Sequence, residues 1–446
     1  MRYWKYFILI LFFILTFRTG SFEGSSAIPP YYKFTLNGIN DRISNEISEF
    51  QYSSYIEKSV NYFMRKWELK GTSLAIVKDD RLVYAQGFGI SNENQDPVVP
   101  GNIFRVASVS KLITAVGIMN LVDEHRLSLE DPVFGPDGIL NDSIFNKVKD
   151  KKLYKITVRN LLSHTGGWSS RYGDQAFHPL AIAKIAGDKP PATMKSYYKY
   201  IASRRLTYSP GTRYSYSNMG YMFLADVVQK VTGEKFENYI RRRILIPNGI
   251  NDMHIGHSFE YEKFDNEVHY FEQSNSMPVL DFKGSGRYVK RSYGGDPIEL
   301  LGSAGGWVCS AVELARLVCL IDGQDGMDDI LSTESINEMI NTNKSCTNGP
   351  LGWKTVYGDD WYRTGSMAGT FAMIKKQHDG FTWIFLSNTS SWKGSHLSSY
   401  VNSLMSKIQR KIKSSWTNTD LFKYYPINSL IPERDDSLNI QSENLS

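Results

Sequence analysis

Three short segments of the 446-residue sequence carry side chains whose types and spacing could act on a carbonyl group, and the first contains Ser108 and Lys111. A lysine three residues after a serine lies on the same face of a helix, one turn further along. There the ammonium group and the positive end of the helix dipole both favour the alkoxide form of the serine. The alternative is that Ser108 only caps a helix, and the same spacing recurs at Ser390 and Lys393. The pair therefore predicts a nucleophile only if other segments supply further catalytic residues.

The second segment contains Tyr216 and Asn218, in a turn-rich loop that leads into a predicted helix over residues 220–232. A lysine ammonium beside a tyrosine lowers the pKa of the phenol, which could then accept the proton of a serine hydroxyl. The asparagine could hold both the lysine and a substrate amide. The competing interpretation is a packed tyrosine followed by a helix-capping asparagine.

The third segment runs from Arg363 through Thr364 and Gly365 to Ser366. On an edge strand, a glycine admits a substrate backbone close to the protein, and an arginine can bind a carboxylate. The next backbone amide can face a developing oxyanion. The competing interpretation is a hairpin corner without chemistry.

The elements that would position these residues follow from hydrophobic periodicity. Apolar residues three to four positions apart predict an amphipathic helix from Ile43 to Trp67, ended by Gly71. Two β-rich runs at 73–77 and 82–86, joined by a polar turn, predict a hairpin. Helical spacing begins at 108–124 and continues, interrupted by turns, to about residue 260.

The second half of the chain returns to strands after a long irregular segment. Residues 261–300 are polar, aromatic and aperiodic, which predicts a lid or long loop that forms part of the wall of a site. Later patterns predict strands at 361–364, 370–375 and 381–387 and a helix over 397–412. Strands and helices segregated in this way predict an α+β fold, an antiparallel sheet flanked by helices with an inserted α-rich lobe.

The expected domain boundaries follow from the same pattern. They are a linker at 22–41, a catalytic domain at 42–415 and a polar C-terminal tail at 416–446, with the α/β lobe formed by 42–107 and about 300–415 and the α-rich insert by about 108–299.

Composition narrows the classes of partner. The 51 Lys and Arg against 46 Asp and Glu leave a net charge of +5, too thinly spread for nucleic-acid binding. The three cysteines are too few for a disulfide framework and have no zinc spacing, and His254 with His257 lacks a supporting ligand set. We therefore expect no metal and no organic cofactor.

The N-terminus has the pattern of a secretory signal peptide. Two basic residues precede a twelve-residue apolar run at 6–17, and small residues follow it. Residues 1–21 are therefore expected to direct export to the periplasm or the extracellular space, although the cleavage site is poorly defined. The run is short for a bilayer, so a membrane tether is expected only if the segment stays uncleaved.

In order along the chain, the three segments resemble the motifs of the penicillin-recognising serine hydrolases, the superfamily of serine β-lactamases and D,D-peptidases. The likeness is closest to the class C β-lactamase-related branch and spans about residues 40–410. It extends to further segments, which are 71–89 (GTSLAIVKDDRLVYAQGFG), 103–111 (IFRVASVSK), 127–133 (LSLEDPV), 157–167 (TVRNLLSHTGG), 209–221 (SPGTRYSYSNMGY) and 302–317 (GSAGGWVCSAVELARL).

The resemblance implies a role for each matched residue. Ser108 matches the acylated nucleophile, Lys111 its activator, Tyr216 the general base and Asn218 the ligand of the substrate amide. The backbone amides of Ser108 and Ser366 would form the oxyanion hole. The sequence departs from the family at Arg363, where lysine or histidine is usual.

These observations predict an exported serine hydrolase that forms an acyl-enzyme at Ser108. A D-amino-acid peptide of cell-wall type, a small ester or amide, and a β-lactam remain alternative substrates. Arginine keeps the positive charge of the third motif but is larger than lysine and does not release a proton near neutral pH. The competing hypothesis is therefore a non-catalytic binding or scaffold protein that keeps the fold.

Overall fold

The structure, a computed structural model, describes residues 38–171, 173–342 and 349–423. The predicted signal segment and most of the predicted linker lie outside these residues, as does the tail from residue 424. Within the described ranges, no helix is long and apolar enough to cross a membrane.

The central element is an antiparallel sheet. The strands are β1 (Gly71–Lys78), β2 (Arg81–Gly89), β3 (Phe104–Arg105), β4 (His254–Ile255), β5 (Val279–Leu280), β6 (Tyr288–Val289), β7 (Trp307–Cys309), β8 (Thr355–Tyr357), β9 (Asp360–Met367), β10 (Thr370–Lys376) and β11 (Phe381–Ser387). Among the described residues, six of them form the main sheet in the order β2-β1-β11-β10-β9-β8. An early and a late part of the described chain therefore meet in one sheet, because β1 pairs with β11.

The predicted hairpin is confirmed, and its turn explains its geometry. Asp79 and Asp80 connect β1 to β2 with φ angles of 49° and 56°. Positive φ at both turn residues matches the right-handed twist of the flanking strands. Aspartate tolerates this backbone conformation better than most residues.

Helices cover both faces of the sheet. They are α1 (Ile39–Arg42), α2 (Ser53–Trp67), α3 (Ser110–Asp123), α4 (Val158–Leu162), α5 (Pro179–Ala186), α6 (Met194–Ala202), α7 (Asn218–Thr232), α8 (Phe236–Ile240), α9 (Ala311–Cys319), α10 (Thr333–Ile340) and α11 (Leu397–Ile412). Alternate residues of β1 point to opposite faces, as the period of two requires. Leu74 and Ile76 pack with α2 and α11, whereas Ala75 and Val77 belong to the larger core that contains α3 and α7. The predicted α+β class is confirmed.

The first predicted helix begins ten residues later than expected. Residues 45–48 form a 3-10 turn, and α2 starts only at Ser53. The hydroxyl of Ser48 donates to the carbonyl of Ala85 at 2.7 Å and accepts from its amide at 2.8 Å. These hydrogen bonds hold Ser48 against β2, the edge strand of the sheet. The segment around Ser48 is therefore not part of the helix that periodicity alone predicts.

The inner ends of the predicted linker and of the predicted tail pack on the rest of the described chain. Ile39 is buried in α1, and Asn40 hydrogen-bonds Asp252 at 3.1 Å. At the other end, Leu421 and Phe422 are buried although they follow residue 415. The packed part of the described chain therefore includes Ile39 and Asn40 at one end and Leu421 and Phe422 at the other.

The long segment 261–300 is largely irregular, as predicted. Its regular elements are a short 3-10 turn, the two-residue strands β5 and β6, which pair with each other, and a distorted turn at Arg291–Gly295.

Candidate active site

Ser108 lies in a 3-10 turn over Ala107–Val109, immediately before α3. Its neighbour Ala107 has a φ of 47°, a conformation that costs an L-residue about 1 kcal/mol or more. The residue that caps α3 is Val109, and it makes no side-chain cap bond. Ser108 is therefore not the N-cap residue of α3.

Lys111 is fully buried one turn into α3. Its ammonium donates to Ser108 Oγ at 3.3 Å, to Asn218 Oδ1 at 2.5 Å and to the carbonyl of Ala304. These three acceptors come from distant parts of the chain and use the donors of the ammonium group. Burial lowers the pKa of Lys111, because the charged form loses its hydration.

Tyr216 completes the contact with the serine. Its hydroxyl lies 2.7 Å from Ser108 Oγ, and the Lys111 ammonium lies 4.9 Å from the centre of its ring. Burial raises the pKa of Tyr216, but the charges of Lys111 and Arg363 outweigh burial and lower the pKa to about 8. A phenol in this environment can exchange a proton with the serine close to neutral pH.

Asn218 is the first residue of α7, and its backbone and side-chain amides are bound by the carboxylate of Asp174. Asp174 Oδ2 accepts from the backbone amide of Asn218 at 2.7 Å and from its side-chain amide at 3.2 Å. These bonds orient the amide so that its oxygen faces Lys111. The sequence predicted Asn218 but missed Asp174, because the two residues are separated by 44 positions and no motif connects them.

The loop that carries Tyr216 rests on His164. The two rings lie 4.3 Å apart, and His164 Nδ1 accepts from the amide of Ser217 at 3.3 Å. Burial, together with the charges of Lys111 and Arg363, holds the pKa of His164 well below its usual value. A neutral ring next to Tyr216 adds no charge to the site.

The third predicted segment lies on β9, and its arginine points inward. Arg363 is 2% exposed, and its Nε donates to the backbone carbonyl of Ser108 at 2.7 Å. Its Nη2 is buried without a hydrogen-bond partner in the described structure. The side chain thus lies beneath the nucleophile, where its charge acts on Tyr216.

The other residues of this segment lie along the strand. Gly365 allows β9 to pass against the turn that carries Ser108, because a Cβ at this position would lie 2.2 Å from the carbonyl oxygen of Val106 and 2.9 Å from Ser108 N. Any other residue would push the strand away. Thr364 Oγ1 accepts from Lys354, and Ser366 is exposed at the end of this close approach.

The backbone carbonyl of Ala304 accepts a hydrogen bond from Lys111, a contact that the sequence analysis also missed. Its carbonyl lies in the tight turn Gly302–Gly306, within a segment that resembles the family without an assigned role there. A backbone acceptor is invisible to a search for chemical side chains.

The described structure also contains a group of possible metal ligands and two free cysteines. His257, Glu262 and Glu299 place ligand atoms within 4.8 Å of one another, a carboxylate set that the sequence did not reveal. Glu299 accepts from the amide of Ser258 at 3.0 Å, and no hydrogen bond in the described structure joins this group to Ser108. Cys309 and Cys319 are buried free thiols, and Cys346 lies outside the described residues.

The fold and the Ser-Lys-Tyr constellation define the class of penicillin-recognising serine hydrolases. A family model described as Beta-lactamase matches residues 57–401, and the chain belongs to this family.

Curated relatives agree with this assignment. Over 300 residues the chain is 25% identical to "Putative penicillin-binding protein PbpX" of Bacillus subtilis (strain 168), which covers 66% of this chain and 64% of the relative. It is 27% identical over 191 residues to "Putative D-alanyl-D-alanine carboxypeptidase" of Escherichia coli O157:H7, covering 40% and 42%. The chain thus spans less than two thirds of the length of these relatives.

Solved structures share the fold. The octameric penicillin-binding protein homologue from Pyrococcus abyssi aligns with a TM-score of 0.57 and 25% identity, over 80% of this chain and 78% of that one. The D-amino acid amidase from Ochrobactrum anthropi SV3 aligns with a TM-score of 0.60 and 20% identity, over 82% and 99%.

Proposed function

We propose that this protein is an exported serine hydrolase that forms an acyl-enzyme at Ser108 on an amide or ester substrate. The observation that carries the proposal is the position of Ser108 Oγ, 2.7 Å from Tyr216 Oη and 3.3 Å from Lys111 Nζ. A nucleophile in contact with a base whose pKa is about 8 is ready for acyl transfer.

The reaction begins when Tyr216 takes the proton of Ser108 as Oγ attacks the substrate carbonyl carbon. The carbonyl oxygen becomes an oxyanion, which the backbone amides of Ser108 and Ser366 stabilise. The tetrahedral intermediate collapses, the bond to the leaving nitrogen or oxygen breaks, and Tyr216 returns the proton to the leaving group. Water then attacks the acyl-enzyme with Tyr216 again as base, and Ser108 regains its proton.

Arg363 acts in this scheme through the base. Because its Nε binds the Ser108 carbonyl and the side chain is buried, its charge favours the phenolate of Tyr216. The sequence suggested that this cation binds a substrate carboxylate, and the buried position supports the electrostatic role instead.

The substrate classes considered are a D-amino-acid peptide of cell-wall type, a small ester or amide, and a β-lactam. The names of the relatives, which include a putative D-alanyl-D-alanine carboxypeptidase, support the peptide. Export to the periplasm or extracellular space rests on the N-terminal pattern, and an N-terminal sequence that still begins at Met1 would contradict cleavage.

The test is covalent labelling of the purified protein with a fluorophosphonate or a fluorescent penicillin. We expect a mass adduct on Ser108 that is lost in Ser108→Ala. Ser390→Ala is the matched control, because Ser390 and Lys393 repeat the Ser-x-x-Lys spacing, and this variant should still be labelled. A folded protein without any adduct would favour the non-catalytic binding or scaffold function instead.

A further inference from the structure

Two cavities follow one another beside the end of β9. The inner cavity, of about 400 Å³, is lined by Ser366, Met367 and Ala368 and by Phe177, Arg291 and Asp296. The outer cavity, of about 360 Å³, shares Phe177, Arg291 and Asp296 with it. The two cavities are therefore neighbours, and the inner one includes Ser366, the residue whose amide is assigned to the oxyanion. We refer to the two together as the cleft.

The outer cavity is bounded mainly by apolar side chains. Its remaining walls include Pro179 and Leu180 from the start of α5, Val279 and Leu280 from β5, and Phe282. Leu280 is 44% exposed and lines this cavity. Pockets of this size and lining bind the apolar parts of small molecules.

Arg291 and Asp296, which line both cavities, form an ion pair with each other. Arg291 Nε donates to both carboxylate oxygens of Asp296, at 3.2 and 3.1 Å. The guanidinium also lies 5.7 Å from the centre of the Phe177 ring. Because Arg291 and Asp296 pair with each other, these residues leave no unpaired carboxylate at the wall that the two cavities share.

The position of the base decides which part of a substrate enters this cleft. Tyr216 must return its proton to the leaving group, so the leaving group lies on the Tyr216 side of Ser108. Tyr216 lines neither cavity. Ser366 does line the inner cavity, so we assign the acyl part of the substrate to the cleft beside it.

We propose that the substrate is an amide or ester with an elongated acyl part that ends in an apolar chain, which occupies the outer cavity. The inference rests on the proposed acyl-enzyme function and names its substrate class. Selectivity then comes from the segment 261–300, through β5 and Arg291, together with α5.

The direct test is a series of nitrophenyl esters from acetyl to octanoyl with the same leaving group. We expect kcat/KM to rise with chain length, with a maximum gain of about fourfold per methylene that reaches the outer cavity. A series that is flat, or that falls beyond butyryl, overturns the proposal.

Variants from two walls of the cavity test its location. Leu280→Asp places a charge in the cavity and Ala181→Trp fills it from α5, and each should lower the octanoyl to acetyl ratio of kcat/KM at least tenfold. Ile246→Asp, at a position that is 42% exposed outside the cavity, and Ile185→Trp, on α5 but not in the lining, are the matched controls. Equal ratios in all four variants would also overturn the proposal.

The labelling experiment separates the two possible failures. If no fluorophosphonate adduct forms on Ser108, the proposed function fails. If the adduct forms but chain length has no effect, only the acyl-chain inference fails.

Discussion

Two groups of ionisable side chains contain an acid whose pKa burial raises, yet the net pKa shifts of the two acids are opposite. The active-site group consists of Lys111, Tyr216 and Arg363. The acidic cluster consists of Asp80, in the turn between β1 and β2, with Asp322 and Asp329 from the loop after α9.

Charge decides the direction of the pKa shift in each group. In the active site, burial raises the pKa of Tyr216, and two cations reverse this effect. In the acidic cluster, burial and the Asp80 carboxylate both raise the pKa of Asp322, to about 8. Desolvation therefore has the same sign for both acids, and the charge of the neighbours determines whether the net shift lowers or raises the pKa. The phenol of Tyr216 and the carboxyl of Asp322 therefore both have a pKa of about 8, although their ordinary values lie far apart.

The largest expected effect is that of Lys111→Met. Loss of the ammonium removes a cation that lowers the pKa of Tyr216 and a donor that binds Ser108, so we expect kcat/KM to fall by about a thousandfold or more. Steady-state kinetics with an activated ester measure the loss, and circular dichroism shows whether the variant is folded. A folded variant with near-normal activity would show that the cation is not required.

The second effect concerns the pH dependence. In the proposed mechanism the phenolate of Tyr216 is the base, so activity of the native enzyme should rise with pH and level off above about pH 8. Arg363→Met removes one of the two cations, so the inflection should move to higher pH and the rate at about pH 7 should fall roughly tenfold.

Arg363→Lys keeps the positive charge and is the matched control. Its inflection should stay closer to that of the native enzyme than that of Arg363→Met. If both variants keep the native profile and only KM rises, then the residue binds substrate, as the sequence first suggested.

The smallest effect concerns stability and tests the acidic cluster. The folded-state pKa of Asp322 is raised, so the folded protein binds the proton more tightly than the unfolded chain does. The contribution of Asp322 to the free energy of unfolding is therefore fully present below about pH 4 and is lost as the pH rises toward about 8.

Asp322→Asn removes this titration. We compare the free energy of unfolding of the variant with that of the native protein at each pH. The difference, variant minus native, should be roughly 1–3 kcal/mol larger at about pH 8.5 than at about pH 5. Urea unfolding at the two pH values measures the difference. Asp328→Asn, an exposed position in the same loop, should show no such dependence, and equal behaviour of the two variants would contradict the proton-binding interpretation.

Local patterns predicted much of the fold because they depend on neighbours in the chain. The hairpin of β1 and β2, the strands β9 to β11 and the helix α11 follow from periodicity and turn residues. The start of α2 could not be predicted, because Ser48 bonds to Ala85 of β2, which is remote in sequence. The packed ends of the predicted linker and tail were missed for the same reason.

The sequence by itself determined which chemical groups are present and their order along the chain. It identified Ser108, Lys111, Tyr216 and Asn218, and the structure brings them together as a connected set. Only the tertiary structure decided that Asp174 holds Asn218, that Ala304 receives Lys111 and that Arg363 lies beneath the nucleophile. The reason is physical: hydrogen-bond partners, burial and Coulomb interactions depend on distances in space, and these set the pKa of each group once the chain has folded.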